Sequence, residues 1–259
     1  MVQERRFPTH AALEGAVKNH RLCSQLLPEL VPNIVGVDRD ALTLRTQWIV
    51  GEPVSTPADL ILAARSLGAL HKHWSASPPQ PFEYESFLSD RRIAAYARGL
   101  PLVADASGWM TGDELIELLR FFEPRASSCY KDSNATNFII VGEQACLIDY
   151  VTITFAPAGY DFAKLLLTYV LREGIAADLR LSAVLRAFRL AAASDLPTVQ
   201  ELLVFSDMHW VMCAPFAGKN GYRVAWPEVR AKLFGQIQSC QTSPAALALS
   251  LRKTGRHDA

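Results

Sequence analysis

Tyr130-Lys131-Asp132-Ser133-Asn134-Ala135-Thr136-Asn137-Phe138-Ile139-Ile140-Val141, the turn Gly142-Glu143-Gln144, and Ala145-Cys146-Leu147-Ile148-Asp149-Tyr150 decide how this chain is read. Two short apolar, partly β-branched runs around a glycine turn predict a β-hairpin, set in a chain whose other patterns are mainly helical. Asn137 lies five residues after Asp132, and Asp149 twelve after Asn137. A tight hairpin sets its two ends side by side, so Asn137 and Asp149 are expected to be neighbours. Mg²⁺ takes oxygen ligands, commonly one or two carboxylates completed by phosphate oxygens and water. Asp149 offers a carboxylate and Asn137 a carbonyl oxygen. Asp132 is a separate carboxylate, suited to orient an acceptor hydroxyl and take its proton. Phosphoryl transfer asks for such a set, because positioning and charge neutralisation carry most of that chemistry.

Upstream, residues 2–7 read as a strand and Ala11–Leu30 as a helix, with Thr9 as its cap. Asn33–Val37 and Ala41–Val50 read as strands joined by a turn at Asp38-Arg39-Asp40. In the longer strand, Leu42, Leu44, Thr46, Trp48 and Val50 fall on one face, and Gly51-Glu52-Pro53 ends it. Pro57–Trp74, 83–99 and 112–122 read as helices, and Ser75–Pro81 as a proline-rich loop. After the hairpin come helices at about 159–173, 177–194, 197–213 and 226–240. The fold class is therefore α+β, with a small β-rich lobe over 1–52 and a larger helical lobe over 53–259.

The motif resembles that of the aminoglycoside phosphotransferases and their choline kinase relatives. There it commonly reads H-G-D-x-x-x-x-N, then I-D followed by an aromatic residue. Gly159-Tyr160-Asp161-Phe162-Ala163 is similar to a downstream segment of that family, Trp48-Ile49-Val50-Gly51-Glu52-Pro53 to its lobe hinge, and Leu67-Gly68-Ala69-Leu70-His71 to its L-x-x-L-H helix. The resemblance implies a two-lobed, protein-kinase-like fold. It implies Asp132 as catalytic base, Asn137 and Asp149 as metal ligands, Mg²⁺ with ATP or GTP as cofactors, and a small-molecule hydroxyl of an antibiotic or metabolite as acceptor. Backbone groups of Trp48, Ile49 and Val50 would then meet the purine, and Arg5 would stand where the family has a phosphate-binding lysine. Asp161 is expected to cap or anchor, and His71 to be a core histidine.

Departures stand beside these matches. Lys131 replaces the family's glycine and Tyr130 its histidine, and Tyr130 is expected to pack in its place. Ala16 falls where a glutamate partner for Arg5 is expected, with Glu14 one face away. No glycine precedes Gly15, so the sequence given reads as beginning at the family's third strand, without a Gly-rich phosphate loop. A nucleotide held from the hinge and large lobe, a degenerate kinase fold that binds a ligand or partner without catalysis, and a repurposed pocket all stay open.

Composition excludes other classes. Half of the 259 residues are apolar, and 26 Lys plus Arg balance 26 Asp plus Glu. A chain of zero formal charge carries no electrostatic footprint for nucleic acid or an anionic membrane. No apolar run reaches the roughly 18 residues of a membrane span, and the charged N-terminus is no signal peptide. Five scattered cysteines without a C-x-x-C pair suggest reduced thiols and a cytoplasmic, soluble protein. Oligomeric state is not legible. For the acceptor, the candidates are Glu201, Asp207, His209, Trp210 and the stretch Pro215 to Trp226. Two acids are few for a cationic antibiotic, and Trp210, Phe216, Tyr222 and Trp226 suit a flatter or more apolar molecule.

Overall fold

The computed structural model describes residues 2–76, 89–103, 111–123, 126–149, 153–174, 179–219 and 221–234. Their strands are β1 (Val2–Arg6), β2 (Ile34–Asp38), β3 (Thr43–Gln47), β4 (Glu52–Pro53), β5 (Ala126–Tyr130), β6 (Phe138–Val141), β7 (Gln144–Leu147) and β8 (Ile153–Pro157). The helices are α1 (His10–Leu26), α2 (Pro57–Ala76), α3 (Asp90–Val103), α4 (Gly112–Phe122), α5 (Tyr160–Glu173), α6 (Leu181–Ala192), α7 (Val199–Cys213) and α8 (Trp226–Phe234). The expected starts at 83 and 177 and the expected end at 240 fall outside the described residues. The chain packs as two compact units. One comprises Met1–Glu85, Ser127–Phe155 and Arg180–Ser194; the other comprises Ser86–Ala126, Ala156–Leu179 and Asp195–Ala259.

The first unit is built on a three-stranded antiparallel sheet in the order β1-β3-β2. Its register sets Arg5 opposite Leu44 and Val2 opposite Gln47. α1 covers this sheet because Leu13, Ala16 and Val17 recur on one helical face and meet Phe7 and Leu44 in a shared core. Thr9 caps α1 by accepting from the Ala12 N–H at 3.2 Å, as its side-chain chemistry predicts. β3 is shorter than the expected Ala41–Val50. Leu44 on the expected inner face is buried, but so is Thr43 on the other, while Trp48 and Val50 beyond the strand are exposed. Alternation alone overstated the strand because pairing with β1 and β2 ends at Gln47.

A second sheet, β4-β6-β7, carries the expected hairpin, with Phe138 opposite Leu147 and Val141 opposite Gln144. Glu52 and Pro53 form a strand of their own against Ile140 and Ile139. Gly51 makes this approach possible: a Cβ there would stand 2.2 Å from the Ile140 carbonyl oxygen. α2 and α6 pack as closely. At Gly68 a Cβ would lie 2.4 Å from the Phe188 carbonyl oxygen, which makes the glycine of the L-G-A-L-H segment a packing residue. His71 is a core histidine as expected, buried with its ring edge-on to Phe188 at 5.4 Å.

In the second unit α7 is buried on all sides from Glu201 to Trp210. Capping boxes start α4 at Thr111 and Glu114 and α7 at Thr198 and Glu201. No described helix is long and apolar enough to cross a membrane. The described free cysteines, Cys23, Cys146 and Cys213, are buried thiols.

Burial holds two histidines below the ordinary histidine value of 6.5: His20, despite its bond to the Pro32 carbonyl, and His209, which the cations Lys164 and Arg92 lower further. Below that value the unfolded chain takes up protons that the folded chain refuses, so stability is lost as pH falls. The melting temperature is expected to drop between about pH 7.5 and 5.5, and His209→Gln to drop less over the same range. Parallel curves for the two proteins would contradict this origin.

Candidate active site

The hairpin brings its ends together by a single backbone bond: the Ile148 N–H donates to the Asn137 carbonyl at 2.9 Å. This places Asn137, at the entry to β6, beside the Ile148–Asp149 exit from β7, as the twelve-residue spacing predicts. The loop from Asp132 to Asn137 folds on itself. The Asn134 N–H donates to the Asp132 carbonyl at 2.6 Å, and the Asn137 N–H to the Asn134 carbonyl at 2.8 Å. The Asn137 side chain adds a third tie, its Nδ2 donating to the Asp132 carbonyl at 2.8 Å. An amide whose NH₂ is committed in this way keeps its Oδ1 as the acceptor atom of the side chain. The same bond fixes the backbone of Asp132, so base candidate and ligand candidate belong to one hydrogen-bonded loop.

Asp149 has a φ of 67°, in the left-handed region. Aspartate is among the few non-glycine residues that tolerate this region. The side chain stays partly open, with 28% of it exposed. Arg5 Nη1 donates to Asp149 Oδ1 across 144 residues of sequence. Arg5, Phe7, Ala16, His20, Leu44 and Asp149 line one cavity under the β1-β3-β2 sheet. Trp48, Ile49 and Val50 do not line it; they follow β3 without regular structure, with Ile49 partly covered and Trp48 and Val50 exposed.

Tyr130 packs as a buried ring, edge-on to Phe138 at 6.0 Å. It does more than pack, since its hydroxyl donates to the carbonyl of Ile148, the residue before Asp149. Burial, with Asp149 and Asp132 nearby, pushes this phenol well above its ordinary value, so it stays a neutral donor. Nothing in the sequence signals this link beyond an aromatic residue two before Asp132. Glu14 does not reach Arg5; its Oε1 accepts from Arg39 Nε at 2.7 Å, and Ala16 is buried in the core. Asp161 lies buried in the first turn of α5, its Oδ1 accepting from the Phe162 N–H at 2.9 Å, while the N-cap of α5 is Gly159.

The acids offered to a cationic acceptor are used inside the protein. Asp207 accepts from Arg230 Nε at 2.8 Å and Nη2 at 2.9 Å and from Trp226 Nε1 at 2.7 Å, fully buried. Glu201 closes the α7 capping box, its Oε2 accepting from the Thr198 N–H at 2.8 Å. His209 Nδ1 lies 3.3 Å from the Tyr160 hydroxyl, which also meets the Tyr96 hydroxyl at 2.9 Å. Trp210 and Trp226 are buried, while Phe216 is half exposed.

Among the described residues no cluster of three or more His, Cys, Asp or Glu side chains could hold a metal by itself. The donor set at the hairpin fits Mg²⁺ in a different way. It offers one carboxylate and one amide oxygen on adjacent chain ends, with Asp149 already receiving a cationic group, and such a site takes its other ligands from phosphate and water. Tyr130→Phe is expected to lower stability by about 1–2 kcal/mol in urea unfolding, through the unsatisfied Ile148 carbonyl. Unchanged stability would show that the hydroxyl does not hold this strand end.

Neither a scan against protein-family models nor a search of curated proteins finds a match. Solved structures do match. An aminoglycoside phosphotransferase from Alicyclobacillus acidocaldarius is 17% identical, with 99% of this chain and 86% of that one covered at a TM-score of 0.58. A choline/ethanolamine kinase family protein from Mesorhizobium loti is 14% identical, with 96% and 87% covered at 0.60. An amicoumacin kinase in complex with AMP-PNP and Ca²⁺ is 12% identical, with 93% and 80% covered at 0.57. At these identities the likeness establishes the fold: this chain has the kinase-like fold of aminoglycoside phosphotransferases and choline kinases.

Proposed function

We propose that this protein is a small-molecule phosphotransferase that moves the γ-phosphate of ATP or GTP to a hydroxyl of an antibiotic or metabolite. The observation that carries the reading is the closure of the hairpin by the Ile148–Asn137 bond, which brings Asn137, on the loop that bears Asp132, beside the chain end that carries Asp149. The likeness to small-molecule kinases supports the reaction class.

In this reading Asn137 Oδ1 and the Asp149 carboxylate hold Mg²⁺. When bound, the ion would offset the charge on the transferred group. Asp132 orients the acceptor hydroxyl and receives its proton. Arg5 is the cation for the nucleotide phosphates, and its guanidinium fork suits paired phosphate oxygens. Backbone groups of Trp48, Ile49 and Val50 meet the purine. The acceptor is not a polycation held by α7, because Glu201 and Asp207 are committed to Thr198 and to Arg230 with Trp226.

A second reading has one observation of its own. Glu14 is paired with Arg39, so Arg5 lacks the glutamate partner the resemblance leads one to expect, and it rests on Asp149. A degenerate kinase-fold protein that binds a ligand or partner without transfer fits that pairing. Two measurements separate the readings. ATP or GTP with Mg²⁺ is expected to raise the melting temperature, and failure of both nucleotides to do so would exclude the kinase. Asp132→Asn is expected to keep that shift while lowering turnover by about 10²–10⁴-fold, the usual contribution of a general base. Nucleotide-dependent stabilisation without any turnover on a panel of hydroxyl acceptors would favour the binding protein.

A further inference from the structure

Arg5 and Asp149 stand 144 residues apart in sequence, one on strand β1 and the other just past the end of β7. Their ion pair is partly open to water, with 46% of the arginine side chain and 28% of the aspartate exposed. An ion pair this exposed contributes little to stability and exchanges readily. Its location is therefore more informative than its strength: a guanidinium holds the carboxylate oxygen that the proposed metal would need. Several contacts keep Arg5 there. β1 is pinned to β3 in a five-pair register that fixes Arg5 opposite Leu44, and the guanidinium lies 5.7 Å from the Phe7 ring. Glu14 cannot draw Arg5 away, because Glu14 is bonded to Arg39. On the other side, the hairpin closure holds the backbone at Ile148, the residue before Asp149.

We propose that Arg5 is the resident counter-ion of Asp149, and that a divalent cation displaces it only together with a polyphosphate. The inference rests on the assignment of Asp149 as a metal ligand. A divalent ion arriving alone must compete with a cation already in place and is repelled by it. A triphosphate changes the balance, because it offers the displaced guanidinium new anionic oxygens while supplying the ion with its remaining ligands. Metal and nucleotide then enter as one unit, and bare metal binds weakly. The site is thereby kept neutral and closed to free divalent ions when no nucleotide is present.

Mn²⁺, followed by the paramagnetic signal of the free ion, is a direct probe without nucleotide and without turnover. Arg5→Met keeps an apolar stem on an exposed strand and removes the charge. It is expected to bind Mn²⁺ alone about tenfold more tightly than the natural protein, from lost competition and lost repulsion together. Arg5→Lys, which keeps a cation, is expected to stay near the natural value and serves as the control for folding of β1. Inorganic tripolyphosphate without metal is expected to bind Arg5→Met more weakly than the natural protein. Asp149→Asn tolerates the same left-handed backbone and is expected to weaken Mn²⁺ binding in every background. If Asp149→Asn weakens Mn²⁺ binding but Arg5→Met does not tighten it, the counter-ion role is overturned and the metal assignment stands. If all four proteins bind Mn²⁺ equally, or none does, the metal assignment fails and takes the inference with it.

Discussion

One backbone hydrogen bond, from the Ile148 N–H to the Asn137 carbonyl, holds the candidate site together. It closes a hairpin of two four-residue strands and converts a separation of twelve residues into adjacency. The other contacts of the site refer to it. Asn137 ties the Asp132 backbone through its side chain, and Tyr130 ties the Ile148 carbonyl through its hydroxyl. Asp149, just past the end of β7, sits in the left-handed region. Base candidate, amide ligand and carboxylate are thus organised by local hydrogen bonds over less than 20 residues of chain, a short-range design with little entropy to lose on closing.

The elements that support this hairpin come from elsewhere in the same unit. The Leu147 N–H donates to the Leu30 carbonyl at 2.8 Å, so the segment after α1 docks on β7. β4 adds a strand to β6, with Gly51 admitting the close approach. Gly51 is therefore explained by packing on the hairpin, whatever its neighbours Trp48–Val50 meet. The β1-β3-β2 sheet delivers Arg5 to Asp149, and in doing so joins the N-terminal strand to the end of the candidate metal site.

The sequence was most legible where contacts are local. The hairpin could be read from two apolar runs around a glycine turn, α1 from its apolar face and its Thr9 cap, and the Asn137–Asp149 adjacency from hairpin geometry. It was least legible where a partner lies far along the chain. Nothing near Arg5 announces Asp149, nothing near Glu14 announces Arg39, and nothing near Asp207 announces Arg230. The short strands β4, β5 and β8 were missed for the same reason: each is defined by its pairing partner more than by its own residues. The α7 acids were weighed as acceptor contacts because charge is visible in sequence and burial is not. Tyr130 was read as a space-filling ring, and its hydroxyl bond to Ile148 emerges only from the fold.

The most direct test of the site is a crystal structure of the protein with Mn²⁺ and a non-hydrolysable nucleoside triphosphate, with the metal located by its anomalous signal. The predicted result is a peak coordinated by Asn137 Oδ1 and an Asp149 oxygen, with Arg5 moved from Asp149 onto phosphate oxygens. A peak that leaves Asn137 and Asp149 uncoordinated, with Arg5 still bonded to Asp149, would contradict the phosphotransferase site.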